Sequence, residues 1–138
     1  WIFNQVLSVR IQQKNWDQYL PGDVFMLDGK NACFADDGSN LVERLAQMDI
    51  HPTGPLWGDG KSLSTSQCLL IEQEISEKNI ALQTGLTNAR LKQERRSLRL
   101  RINHMHWQIE QNDTLTIEFE LPAGTFATMV LREFAETE

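Results

Sequence analysis

Leu115, Ile117, Phe119 and Leu121 alternate strictly with Thr116, Glu118 and Glu120 near the end of the chain. Successive side chains on a strand point to opposite faces, so the pattern predicts a strand with one face buried and the other wet. Met105, Trp107 and Ile109 alternate in the same way, and Gln111-Asn112-Asp113 predicts the turn joining the two runs.

Upstream, two periods are mixed. Ile2, Phe3, Val6 and Leu7 fall at helical spacing and predict a helix to about Asn15. Pro21-Gly22-Asp23 then turns the chain into Val24-Phe25-Met26-Leu27, a short apolar strand. Asp28-Gly29 before Asn31-Ala32-Cys33-Phe34 predicts a hairpin, because a tight primed turn demands positive φ. Asn40 with Glu43 predicts a capped helix carrying Leu41, Leu45 and Met48 inward and ending near Asp49. Residues 50–60 hold two prolines and three glycines and predict an ordered loop anchored by Leu56 and Trp57.

Ser64 with Gln67 predicts a capping box and a helix to about Glu77. A further helix is expected from Ile80 to about Arg96, with Leu82, Leu86 and Ala89 facing inward. Residues 97–102 alternate and predict a strand with leucines in and arginines out. Pro122-Ala123-Gly124 breaks the last strand, and Thr125 is placed to cap a final helix reaching Phe134. The order of helix, ribbon, three helices, strands and helix describes an α+β fold rather than an alternating βαβ one.

The 138 residues, 41% of them hydrophobic, suffice for one sizeable core. No apolar run approaches the roughly 20 residues that cross a bilayer, and Trp1-Ile2-Phe3-Asn4-Gln5 has no basic leader, so neither membrane insertion nor secretion is expected. A helical pattern that begins at once on a Trp reads as the interior of a longer polypeptide. Cys33 and Cys68 are far apart among apolar neighbours and are expected as reduced thiols. His51 stands alone, and His104 and His106 lack a cysteine or carboxylate at metal-ligand spacing, so no metal site is expected.

The net charge of −6 argues by itself against a dedicated nucleic-acid binder. Its distribution is uneven. Arg90, Lys92, Arg95, Arg96, Arg99 and Arg101 against Glu94 give a local balance of +5 and leave the remainder at −11. The plainer reading is a solvated face, and the functional one is a strip that contacts phosphates by displacing counterions.

The segment Leu121-Pro122-Ala123-Gly124-Thr125-Phe126-Ala127-Thr128-Met129-Val130-Leu131-Arg132-Glu133 closely resembles the closing motif of TruD-family tRNA pseudouridine synthases. Phe3-Asn4-Gln5, Pro52-Thr53-Gly54-Pro55-Leu56-Trp57-Gly58 and Arg95-Arg96-Ser97-Leu98 resemble the same family in the same order. The resemblance implies a cytoplasmic enzyme that isomerises a uridine in tRNA, uridine 13 in bacterial members, without metal or organic cofactor. It also implies a catalytic domain interrupted by an inserted domain. Residues 1–103 would belong to the insertion and 104–138 to the returning catalytic domain. The family's catalytic aspartate sits in a Gly-Gln-Lys-Asp stretch, and this sequence contains no Lys-Asp pair, so the fragment alone is expected to be inactive.

With the resemblance, Phe126 becomes a stacking platform for a flipped base; without it, a core phenylalanine. Gly124 and Thr125 would hold the uracil edge or an anionic group, or simply make the turn, and Arg132 would anchor the motif, touch phosphate or pair with a glutamate. Arg95, Arg96, Arg99 and Arg101 are the candidates for tRNA-backbone contact, with solvation as the alternative. Trp57 is read as a packing anchor. The competing functions are a non-catalytic RNA-binding accessory module and a protein-interaction domain, the latter suggested by the acidic remainder. An uncovered apolar face on the last strand would also invite a homodimer.

Overall fold

The structure, a computed structural model, describes residues 1–111 and 113–134. The chain divides into two compact units, the first Trp1–Arg99 and the second beginning at Leu100. In the first, α1 (Ile2–Gln12) buries Ile2, Val6 and Arg10, one stripe at four-residue intervals. There follow β1 (Val24–Leu27), β2 (Cys33–Ala35), α2 (Leu41–Ala46), β3 (Ile50–Leu56), α3 (Ser66–Glu77), α4 (Ile80–Asn88) and β4 (Glu94–Ser97). The strands form an antiparallel sheet in the order β2-β1-β3-β4. The expected hairpin is present, with Phe25 opposite Phe34, Met26 opposite Cys33, and the Lys30 amide donating to the Leu27 carbonyl.

Residues 50–56, expected as an irregular loop, form an interior strand instead. Ile50, His51 and Pro52 pair with β1, whereas Thr53 to Leu56 pair with β4, so each half of β3 has a ladder partner on one side. That division accommodates both prolines. The Pro52 carbonyl accepts from the Leu98 amide, on the side away from β1, so its nitrogen also faces away from the β1 ladder. By strand alternation the Pro55 nitrogen faces the opposite side, beyond the last residue paired with β1. Ile50 to Pro55 are all buried, as an interior strand requires.

Three further expectations are corrected. The helix expected to reach Arg96 stops at Asn88, and Arg95 and Arg96 lie on β4. Only Leu86 of its expected inward face packs on the core, while Leu82 is 38% exposed and Ala89 lies past the helix. Ser64 does not cap α3, which starts one residue after Thr65; its hydroxyl donates to the Glu72 carboxylate at 2.6 Å. The Asn40 side chain donates to Glu43 rather than capping a backbone amide, and α2 ends at Ala46, where Met48 takes φ 59°.

Two apolar clusters hold this unit together. Phe25, Leu41, Leu45 and Ile50 join α2 to the sheet, with Leu27 and Phe34 against them. Ile2, Val6 and Ile75 join α1 to α3, with Val9, Trp57, Ile71 and Leu86 at the margin. The turn at Pro21-Gly22 caps α3 from outside the helix, its carbonyls accepting from the Cys68 and Thr65 amides. Gly22 has φ +86°, and a Cβ there would lie 1.9 Å from the Thr65 carbonyl oxygen. Gly22→Ala is therefore expected to cost about 1–3 kcal/mol in urea unfolding, through backbone strain and lost capping together. An unshifted midpoint would contradict that reading.

In the second unit, β5 (Asn103–Ile109) and β6 (Leu115–Glu120) form the expected ribbon, followed by α5 (Ala127–Leu131). Trp107 lies opposite Ile117, and Ile109 opposite Leu115, so these four share one face. A bulge between Asn103 and His106 adds one residue to β5, with His104 at φ 51°. The expected turn runs through Asn112, which lies outside the described residues; the Glu110 amide donates to the Thr114 carbonyl across it. No described helix is long and apolar enough to cross a membrane.

Candidate functional site

The conspicuous local geometry of the second unit is the turn from β6 into α5. Gly124 takes φ +84°, a conformation open to glycine without strain. Thr125 was expected to cap the helix, but its hydroxyl and amide both donate to the Pro122 carbonyl, at 2.6 and 3.3 Å, locking the turn instead. Phe126 is the cap residue, in extended conformation with φ −109° and ψ 116°, and its carbonyl accepts from the Met129 amide. Phe126 is 69% exposed. A hydrogen-bonded turn thus presents an aromatic side chain to solvent. α5 is shorter than expected, ending at Leu131, and Arg132 is its exposed C-cap residue.

The arginines expected to point outward together are divided by the fold. Arg95 turns inward, its side chain 5% exposed. Its two terminal nitrogens donate to the Glu72 carboxylate at 2.8 and 3.1 Å, and Nε donates to Thr53 Oγ1 at 2.9 Å. Glu72 is itself 1% exposed and also accepts from Ser64 and the Cys68 thiol. Burial, with the Glu72 charge second, pushes the Cys68 thiol far above its ordinary range, so it stays protonated.

Arg99 also binds inward, donating to the carbonyls of Leu45 and Ile50 and, through Nε, to His51 Nδ1 at 2.9 Å. Because arginine only donates, Nδ1 must accept; the His51 proton therefore sits on Nε2, 2.8 Å from Asp28 Oδ1. This favours a neutral histidine over the ion pair that the Asp28 distance alone would suggest. Burial holds the Arg99 guanidinium below its usual range, against Asp17 and Asp28, which raise it. Arg96 is exposed with its guanidinium 6.0 Å over the Phe3 ring, and Arg101, in the second unit, is exposed. Among the described residues no cluster of three His, Cys, Asp or Glu could hold a metal ion.

Sequence reasoning missed Glu72 and Thr53 as partners of Arg95, and also a second buried ion pair. Arg10 and Asp23, 1% and 0% exposed, meet at 2.6 Å. Nothing local marks these partners, because 13 to 42 residues separate them along the chain. The apolar surface around Phe3 and Trp57 was equally hidden, since it is assembled from three separate segments.

The sequence profile of a family described as tRNA pseudouridine synthase D (TruD) matches residues 1–134. The tRNA pseudouridine synthase D of Hydrogenovibrio crunogenus is 45% identical over 139 aligned positions, covering 100% of this chain and 40% of that protein. That of Xanthomonas axonopodis pv. citri is 46% identical, covering 98% of this chain and 38% of its own length. The chain thus spans about 40% of the length of the curated relatives it matches. Among solved structures, a putative tRNA pseudouridine synthase D from Methanosarcina mazei superposes with a TM-score of 0.69 over 96% of this chain and 35% of that one. At 21% identity, that match speaks to the fold alone.

Proposed function

We propose, from the premise that this chain belongs to the tRNA pseudouridine synthase D (TruD) family, that it supplies the C-terminal portion of a cytoplasmic enzyme isomerising uridine to pseudouridine in tRNA, at uridine 13 in bacterial substrates. Residues 1–103 would be the end of the inserted domain and 104–138 the closing segment of the catalytic domain. The observation that carries the reading is Phe126, 69% exposed on a turn that Thr125 locks, within the motif that resembles the family's closing segment. A flipped uracil has a π-face to stack on such a ring, and stacking holds the base while it is detached, turned and rejoined through carbon. Gly124 and Thr125 shape the platform, and Arg132 contacts phosphate or anchors the motif. The aspartate that begins the chemistry lies outside these residues, and no cofactor is required.

The test is turnover on an unmodified tRNA transcript. This chain alone should form no pseudouridine, whereas a polypeptide that adds an upstream Gly-Gln-Lys-Asp stretch should. In that active protein Phe126→Ala should lower kcat/KM by about 5- to 150-fold, the equivalent of roughly 1–3 kcal/mol of base stacking. Turnover by the isolated chain, or an unaffected Phe126→Ala enzyme, would sink the assignment.

Arg96 and Arg101, the exposed members of the strip, are the residues proposed to contact the tRNA backbone, while Arg95 and Arg99 turn inward. Arg96→Gln and Arg101→Gln should each reduce the salt slope of tRNA binding by about one. A slope that stays put would leave both as solvated surface. In the isolated chain, Trp107 and Ile109, 67% and 69% exposed, support pairing of the ribbon with a second copy. Sedimentation should show a dimer that Trp107→Glu dissociates.

A further inference from the structure

We infer that the first unit carries a second nucleobase-binding subsite, a groove in which an unstacked base of the RNA seats against Phe3 and Trp57; this rests on the reading of the substrate as tRNA. The groove has a volume of about 410 Å³, within the range of sites that hold a small planar ligand. Trp1, Phe3, Trp57, Leu86, Leu91 and Lys92 line it, drawn from the start of α1, the end of β3, and α4 with the segment after it.

Two of its walls pack on the core of the unit. Trp57 and Leu86 pack on the Ile2, Val6 and Ile75 cluster, and Phe3 closes over Gly54, where a Cβ would lie 3.0 Å from its ring. Gly58 lets the strand end approach the opposite wall, since a Cβ there would sit 2.4 Å from the Leu91 carbonyl oxygen; the Asp59 amide donates to that same oxygen. Leu91 nevertheless stays 50% exposed, leaving the floor open to a ligand.

The chemistry around the apolar slot selects the occupant. Lys92 lines it, so a cation stands beside the aromatic wall. That combination suits a base with its attached phosphate, the base against the rings and the phosphate against the Lys92 ammonium. Glu94, also in the lining, offers an acceptor to a base N–H. A purely apolar helix would gain nothing from these charges, and a bare polyanion would leave the aromatic surface unused.

The test uses this chain, a fluorescently labelled oligouridylate, and an abasic ribose-phosphate oligomer of equal length. Oligouridylate is expected to bind about tenfold more tightly than the abasic oligomer. Trp57→Leu should remove that preference while leaving abasic binding unchanged. Because Trp57 also packs on the core, Leu91→Glu provides a second variant at a half-exposed position, and it too should weaken oligouridylate binding about tenfold. Equal affinity for the two oligomers, or variants that bind as the parent does, overturns the subsite. If tRNA turnover by the longer enzyme persists in that case, the function proposed above stands and the groove alone fails. In that longer enzyme, Leu91→Cys should react with a maleimide and be protected by oligouridylate. A thiol already blocked without RNA would assign the groove to another protein segment and overturn the inference.

Discussion

Arg95→Met lowers the stability of the first unit by about 3–5 kcal/mol, read as a fall in the urea midpoint, because it strands the Glu72 carboxylate in a dry interior. Glu72 is 1% exposed and receives both terminal nitrogens of Arg95. Once the guanidinium is gone, the Ser64 hydroxyl at 2.6 Å and the Cys68 thiol at 3.4 Å do not compensate a full negative charge. Glu72→Met strands Arg95 in the same way, although Thr53 still accepts two of its hydrogen bonds through Oγ1 and its carbonyl oxygen. The double substitution should recover most of the loss, since a buried pair replaced by apolar residues of similar volume is often neutral. Single variants within about 1 kcal/mol of the parent would show the pair to be reached by water. On the tRNA contacts proposed for Arg96 and Arg101, Arg95→Met should lower the midpoint without changing the salt slope of binding.

The second large effect is expected at Asp23, whose removal leaves Arg10 charged and 1% exposed at the end of α1. Arg10 is the hub of the connection between α1 and β1. It donates to both Asp23 oxygens, to the Asn15 carbonyl through two nitrogens, and to the Gln18 carbonyl. Asp23 in turn accepts from the Leu20 amide at 2.9 Å. Asp23→Ala should therefore cost about 3–5 kcal/mol and also loosen residues 13–22. Those residues include Pro21 and Gly22, whose carbonyls cap α3, so hydrogen exchange at the Thr65 and Cys68 amides should accelerate as well. Fast exchange confined to residues 13–22, with α3 still protected, would separate the ion pair from the cap.

Particular residues show where the sequence was legible. The β1–β2 hairpin could be read because Asp28-Gly29 specifies the turn and the apolar run before it is short. The ribbon of β5 and β6 could be read because alternation is a local pattern, and its pairing follows from a short connection. β3 could not, because Pro52 and Pro55 count against a strand unless each ladder ends where a proline needs it to. The break after Asn88 was hidden by Leu82, Leu86 and the following arginines, which continue a helical spacing that β3 overrides by recruiting residues 94–97 into the sheet.

The sequence alone settled that this chain mixes helices and strands, where the C-terminal ribbon lies, and, through its closing motif and three supporting segments, the family it resembles. All of these depend on residues within a few positions of each other, where periodicity and turn chemistry act. Tertiary structure decided which way the arginines face, turning Arg95 toward Glu72 and Arg99 toward His51 while leaving Arg96 and Arg101 exposed. It also decided that Thr125 braces the turn that exposes Phe126, and that Phe3 and Trp57 share a groove. A buried charge must find its counterpart wherever the fold places one, 13 or 23 residues away in the two pairs here, and local pattern carries no record of that distance.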